Sequence, residues 1–162
     1  MTPRNVPAKL EHFIGGAHTP SADGATFEVA DPVTNRPYAT VAAGAPQDID
    51  LAVTAATRAF TEGPWPQLRS RERARILTNI ADGIEARAQR IAELETFDTG
   101  LPITQARGQA ARAAENFRFF ADLTVTLHED AFTTPGTQFG YVIRKPAGVA
   151  GLITPWNTPF ML

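Results

Sequence analysis

The chain has 162 residues, of which 43% are hydrophobic, 9% aromatic and 20% charged, the balance of about one globular domain with enough apolar residues for a sizeable core. Lys+Arg 15 against Asp+Glu 17 gives a net charge of −2, so charge supplies no reason to expect a nucleic acid or an anionic membrane as partner. Cysteine is absent, which rules out disulfides, thiolate metal sites and a cysteine nucleophile supplied by this chain.

No apolar run approaches the roughly 18 residues that span a bilayer. Residues 1–10 lack the apolar core of a secretory signal, so a cytoplasmic location is expected. Residues 1–44 read as short strands and turns. Phe13-Ile14-Gly15-Gly16 is a short apolar run ended by glycines. Thr26-Phe27-Glu28-Val29-Ala30 and Tyr38-Ala39-Thr40-Val41-Ala42 flank the turn chemistry of Asp31-Pro32-Val33-Thr34-Asn35-Arg36-Pro37, which predicts antiparallel strands.

Residues 46–127 read as helices. Pro46 suits a first helical position, and Asp48 and Asp50 favour a helix N-terminus. Ile49, Val53, Ala56 and Phe60 recur on one helical face, and Gly63-Pro64-Trp65-Pro66 ends that helix. Ser70 is the expected cap of the next helix, with Ile76, Leu77, Ile80 and Ile84 as its buried stripe. Ile91, Leu94 and Phe97 continue the pattern after a bend at residues 86–88, and Gly100 and Pro102 supply a stop. A long helix fits residues 103–127 through Ala106, Ala110, Ala113, Phe117, Phe120 and Thr124; its alanines predict close packing on a neighbour.

Residues 128–136 read as a loop and 138–144 as a strand of β-forming residues. Val149-Ala150-Gly151-Leu152-Ile153 has the pattern of a strand buried on both faces of a parallel sheet. Such a strand requires parallel partners and covering helices, and nothing after Ile153 provides them. The chain is therefore expected to be the first third of something larger.

Most candidate sites have a bland reading. His12, His18 and His128 show no ligand spacing and read as surface or structural. Arg69, Arg71, Arg73 and Arg75 alternate, so on a helix they share no face and read as solvated surface. No GxGxxG or Walker loop is present; the two glycines of Gly148-Val149-Ala150-Gly151 are too few. Asp98 reads as a residue of a helix C-terminal turn, where a carboxylate is unfavourable without a compensating cation. Asn157 follows the apolar run at the end of a strand where α/β sheets bind ligands, and its amide N–H groups suit an oxyanion. Between Pro155 and Pro159 it equally fits a turn asparagine.

Pro146-Ala147-Gly148-Val149-Ala150-Gly151-Leu152-Ile153-Thr154-Pro155-Trp156-Asn157-Thr158-Pro159-Phe160 resembles the proline-x-glycine-valine strand and proline-tryptophan-asparagine turn of the aldehyde dehydrogenase superfamily. Phe13-Ile14-Gly15-Gly16 resembles the opening hairpin of that family, and Asp31-Pro32-Val33-Thr34 its early turn. Residues 48–60 and 73–84 resemble two of its helices, and Glu95-Thr96-Phe97-Asp98-Thr99-Gly100 its "E-t-x-D-t-G" turn. The ordered set covers residues 11–162. Asp98-Thr99-Gly100-Leu101-Pro102-Ile103, Asn116-Phe117-Arg118-Phe119-Phe120-Ala121 and Pro155-Trp156-Asn157-Thr158-Pro159-Phe160-Met161 look closest to members acting on muconate-type semialdehydes of aromatic degradation, such as 5-carboxymethyl-2-hydroxymuconate semialdehyde.

The resemblance implies an α/β fold, the incomplete N-terminal part of the aldehyde dehydrogenase fold. Residues 1–137 would hold N-terminal strands and the helical part of the cofactor-binding domain. Residues 138–146 would be an oligomerisation-type strand, and 147–162 the first strand and turn of a Rossmann-like sheet. It further implies NAD or NADP as cofactor, a small-molecule aldehyde as substrate and a homo-oligomer, with no nucleic acid or membrane partner. In the family a cysteine thiolate attacks the aldehyde, hydride passes to NAD(P), and a glutamate-activated water releases the acid. By residue match Asn157 would hold the alkoxide, and Ile153, Thr154, Pro155, Trp156 and Asn157 would line the nicotinamide cleft. Val29, through its carbonyl, and Asp98 would match a monovalent-cation site. The nucleophile, the general base and the pyrophosphate glycines lie further along in the family, so this chain alone is expected to be inactive. The alternative is a non-catalytic helical interaction module derived from that family.

Overall fold

The structure is a computed structural model that describes residues 6–136 and 138–162. The reading of residues 1–10 as lacking a signal core therefore lies partly outside the described residues. Strands β1 (Lys9–Leu10), β2 (His12–Ile14), β3 (Ala17–Thr19), β4 (Thr26–Ala30) and β5 (Pro37–Ala42) come first. Helices α1 (Pro46–Glu62), α2 (Ser70–Glu85), α3 (Ala88–Thr99) and α4 (Ile103–Thr126) follow, with a short 3-10 turn at Trp65–Gln67. Strands β6 (Ala131–Thr134) and β7 (Gln138–Tyr141) form the last regular elements.

The small strands fold as their turns dictate. β2 and β3 pair antiparallel across Gly15 and Gly16, whose φ values of 61° and 87° are those a tight two-residue hairpin demands. β4 and β5 pair antiparallel, and β1 adds to β5 in parallel to give the order β1-β5-β4. The β4–β5 turn is closed by the Asp31 carboxylate, which accepts the Val33 N–H at 2.8 Å and the Thr34 hydroxyl at 2.8 Å. That is the local bonding expected from the Asp-Pro-x-Thr-Asn sequence.

The helices supply the core. α2 and α4 pack through Ala81, Ile84, Ala113 and Ala114, with Ile91 and Phe117 against them. Ala92, Ala106 and Ala110 are buried as well, so methyl-sized side chains let three helix axes approach closely. Gly100 (φ 77°) ends α3 in the left-handed conformation, as expected of its position. At the start of α1 the Asp48 carboxylate accepts the Ala45 N–H at 2.9 Å, the Ala22 N–H at 3.1 Å and the Ser21 hydroxyl at 3.3 Å. One acid thus caps the helix and fastens the preceding loop.

Several expectations change. Ser70 is the first residue of α2 rather than its cap; Arg69 holds the cap position, and its N–H donates to Glu72 Oε2 at 2.8 Å. Ile49, Val53, Ala56 and Phe60 do lie along α1, and that face is open: Ile49 is 62% exposed, and Val53 and Phe60 are exposed too. Likewise Ile76 and Ile80 are exposed at the outer edge of the α2 stripe, which Ile84 anchors. Among the described residues nothing covers these faces. Residues 131–134, read as loop, form β6, because Phe132, Thr133 and their neighbours pair with β7 across Pro135-Gly136.

A further change concerns residues 149–153. They form no strand here, and Leu152 and Ile153 are 85% and 101% exposed. A strand with two apolar faces needs hydrogen-bonded neighbours on both edges, and none of the described elements lies beside it. The strand at β7 is also shorter than residues 138–144. Its line continues through the Val142 N–H to Asp130 O (2.9 Å) and the Arg144 guanidinium to His128 O (2.7 Å). No helix among the described residues is long and apolar enough to cross a membrane.

Candidate functional site

The expected site residues fall into two groups. Ile153, Thr154, Pro155, Trp156 and Asn157 lie together on the exposed segment that leaves residues 149–153 and enters a turn; Trp156 is 86% exposed. The turn is closed behind Asn157, where the Leu162 N–H donates to Thr158 O at 3.3 Å. Asn157 is exposed, with its amide free of hydrogen bonds among the described residues. The segment therefore presents one apolar wall and one amide donor, and nothing described faces it from the other side.

Val29 and Asp98 come from β4 and from the last turn of α3. The structure brings these elements together: Gly100 sits against Pro32 of the β4–β5 turn, and Val29 pairs with Ala39, the neighbour of Tyr38. The Tyr38 hydroxyl donates to Asp98 Oδ1 at 2.5 Å, and the Tyr38 ring meets Phe97 edge-on at 4.6 Å between centroids. Burial, and then the Asp98 carboxylate, hold the Tyr38 phenol well above its ordinary range, so it remains a donor. The Asp98 carboxylate is thus engaged by a neutral phenol. No group of three or more His, Asp or Glu side chains suited to a metal occurs among the described residues.

A residue that sequence reasoning passed over joins the two groups. Glu95 is 4% exposed, and neither of its carboxylate oxygens has a hydrogen-bond partner among the described residues. It lines a cavity of about 490 Å³ together with Leu10, Tyr38, Leu94, Asp98 and Phe160. The Asn157 turn thus rests its far end, Pro159 and Phe160, over the α3 carboxylates. The available signal was the spacing: Glu95 stands four residues after Ile91 and one after Leu94, on the apolar stripe itself. A larger hollow of about 640 Å³ between the β2–β3 turn and α1 contains none of the expected site residues.

Two of the histidines pack against neighbours. His12 Nε2 lies 3.5 Å from the buried Asp48, and His18 packs edge-on against Phe13. Of the arginines of α2, Arg73 reaches back to Pro66 O at 3.1 Å and over the Trp65 ring. Arg118 of α4, not singled out from sequence, bridges Asp82 at 2.7 Å and Glu85 at 2.8 and 2.9 Å.

Comparison with known proteins bears on the same turn. The model of the aldehyde dehydrogenase family matches residues 18–162, which include every candidate site residue. The chain belongs to the aldehyde dehydrogenase family. It is 43% identical over 151 residues to "Aldehyde dehydrogenase 1" of Tanacetum cinerariifolium, covering 93% of this chain and 30% of that protein. It is 42% identical over 159 residues to the 2-hydroxymuconic semialdehyde dehydrogenase of Pseudomonas sp. (strain CF600), covering 95% and 32%. Among solved structures it superposes on PnpE of Pseudomonas sp. WBC-3, a protein also solved in complex with nicotinamide adenine dinucleotide, with a TM-score of 0.86 and 36% identity. That match covers 94% of this chain and 31% of the other. The chain thus spans about a third of the length of the relatives it matches.

Proposed function

We propose that this chain forms the N-terminal part of an NAD(P)-dependent aldehyde dehydrogenase that oxidises a small aldehyde, of the muconate-type semialdehyde class, to its carboxylate. The observation that carries the reading is the placement of Asn157: an exposed amide on a turn, at the end of an unpartnered apolar segment, within the stretch the family model matches.

Attack on an aldehyde carbon puts negative charge on its oxygen. A fixed side-chain N–H aimed at that oxygen lowers the barrier by roughly 3–4 kcal/mol when it acts in a site from which water is excluded. Asn157 would serve in that role. Ile153, Thr154, Pro155 and Trp156 would form one wall of the nicotinamide cleft, and their exposed apolar surface fits a planar ring laid against it. NAD(P), when bound, would take up the hydrogen and electron pair that leave the aldehyde carbon. The chain holds no cysteine, so the nucleophile would come from a part of the protein beyond these residues, and the 162 residues alone would oxidise no aldehyde by the cysteine route.

Val29 and Asp98 would flank a monovalent cation with a structural role. The β6–β7 hairpin, with Phe132, Phe139 and Tyr141 exposed, would meet a second subunit. The substrate class draws support from the semialdehyde dehydrogenase relative, and the cofactor from the NAD complex of PnpE. The test is turnover by the whole protein, read as reduced cofactor, on a muconate semialdehyde and on a simple aliphatic aldehyde. The reading expects a kcat/KM at least about tenfold higher for the semialdehyde, a difference of about 1.4 kcal/mol in transition-state binding. No turnover of either aldehyde would contradict it.

A further inference from the structure

A buried carboxylate without a partner is costly unless it is neutral or holds something. Glu95 is such a group. It is 4% exposed, both oxygens lack a hydrogen-bond partner among the described residues, and it faces the same cavity as Pro159 and Phe160. Arg90 and Asp98 line that cavity as well, yet neither is bonded to Glu95. The chain element over the carboxylate is thus the far end of the turn that carries Asn157, three residues upstream of Phe160.

We propose that Glu95 is a positioning residue for this turn: its buried carboxylate, in the cavity that Pro159 and Phe160 also line, holds the end of the turn and so sets where the Asn157 amide stands. Burial pushes the Glu95 carboxyl above its ordinary range, and the Phe160 backbone N–H counteracts that rise. Helix α3, which carries Glu95, is fixed by its buried alanine contacts with α4. The turn therefore takes its position from the helical core rather than from its own two prolines. The catalytic consequence rests on the proposed role of Asn157; the anchoring itself does not.

The test compares the whole protein with Glu95→Gln, which keeps size and an acceptor oxygen but loses the charge, and Glu95→Ala, which loses both. Amide hydrogen exchange is followed in the peptide spanning residues 158–162 and in α3 and α4. The expected order is parent slowest, Glu95→Gln intermediate at about threefold faster, and Glu95→Ala about tenfold faster, with α3 and α4 unchanged. Exchange in residues 158–162 equal to the parent in Glu95→Gln and Glu95→Ala overturns the proposal. Where Glu95→Ala loses protection throughout α4 and so is unfolded, Glu95→Gln against the parent decides alone. Faster exchange with kcat unchanged supports the anchoring and removes Asn157 from the chemistry, so the two readings fail separately.

Discussion

Tyr38 and Asp98 are 60 residues apart, yet the phenol of β5 donates to the carboxylate of α3 at 2.5 Å. This bond, with the Tyr38–Phe97 contact beside it, joins the strand layer to the helical core at the wall of the Glu95 cavity. Tyr38→Phe keeps the ring and removes the bond. It should cost about 1 kcal/mol, measured by urea denaturation at neutral pH. The pH dependence has a definite sign. The folded phenol titrates above its unfolded value of 10.0, so its contribution is complete below that value and is lost as pH rises through the folded one. Parent stability should fall above about pH 10, and Tyr38→Phe should flatten that fall. Equal slopes in the two proteins would contradict the assignment.

Asp48 has the opposite sign. Its carboxyl is held below the ordinary aspartate range, chiefly by the Ala45 N–H, with the Ala22 N–H, His12 and the Ser21 hydroxyl assisting, while burial works against them. Its contribution is therefore present above the unfolded value of 3.8 and is lost as pH falls through the folded one. Asp48→Ala should cost about 1–3 kcal/mol, since it removes the cap and strands the N–H groups of Ala22 and Ala45. The cost should shrink in strong acid, where the parent too has lost the charge. A thermal-denaturation series on parent and variant from neutral pH into acid measures both.

The α2–α4 seam predicts intolerance of size. Ala114 is fully buried in the cluster with Ala81, Ile84 and Ala113. Ala114→Leu inserts a branched side chain into this buried seam, and should cost about 1–3 kcal/mol. Ala111→Leu, on the exposed face of the same helix, should be within about 0.5 kcal/mol of the parent. Equal melting temperatures for the two variants would count against the packing described.

Much of this architecture was legible because local chemistry decides it. Asp31-Pro32-Val33-Thr34 makes its own turn, Gly100 accepts a left-handed φ, and the alanines of α4 mark a close contact. What periodicity cannot say is what covers an apolar face. Ile49, Val53 and Phe60 recur as a core stripe should, and residues 149–153 read as a doubly buried strand, yet both are exposed among the described residues. The sequence pattern records the burial a segment is suited to, and burial also needs a partner surface. Glu95 was missed for the converse reason. An acid on an apolar stripe reads as a tolerated surface residue, and only the fold shows it buried in the cavity that Phe160 also lines. Asn157, singled out by its place after an apolar run and between two prolines, stands on an exposed turn.

The most direct test of the account is Asn157→Ala in the whole protein, with kcat for the aldehyde and the dissociation constant of NAD measured on the same preparations. A donor that acts on the alkoxide is used in the transition state and not in binding the cofactor. The account predicts kcat lowered by about 10²–10³-fold, with the dissociation constant changed by less than about threefold. An unchanged kcat, or a loss confined to NAD affinity, would contradict it.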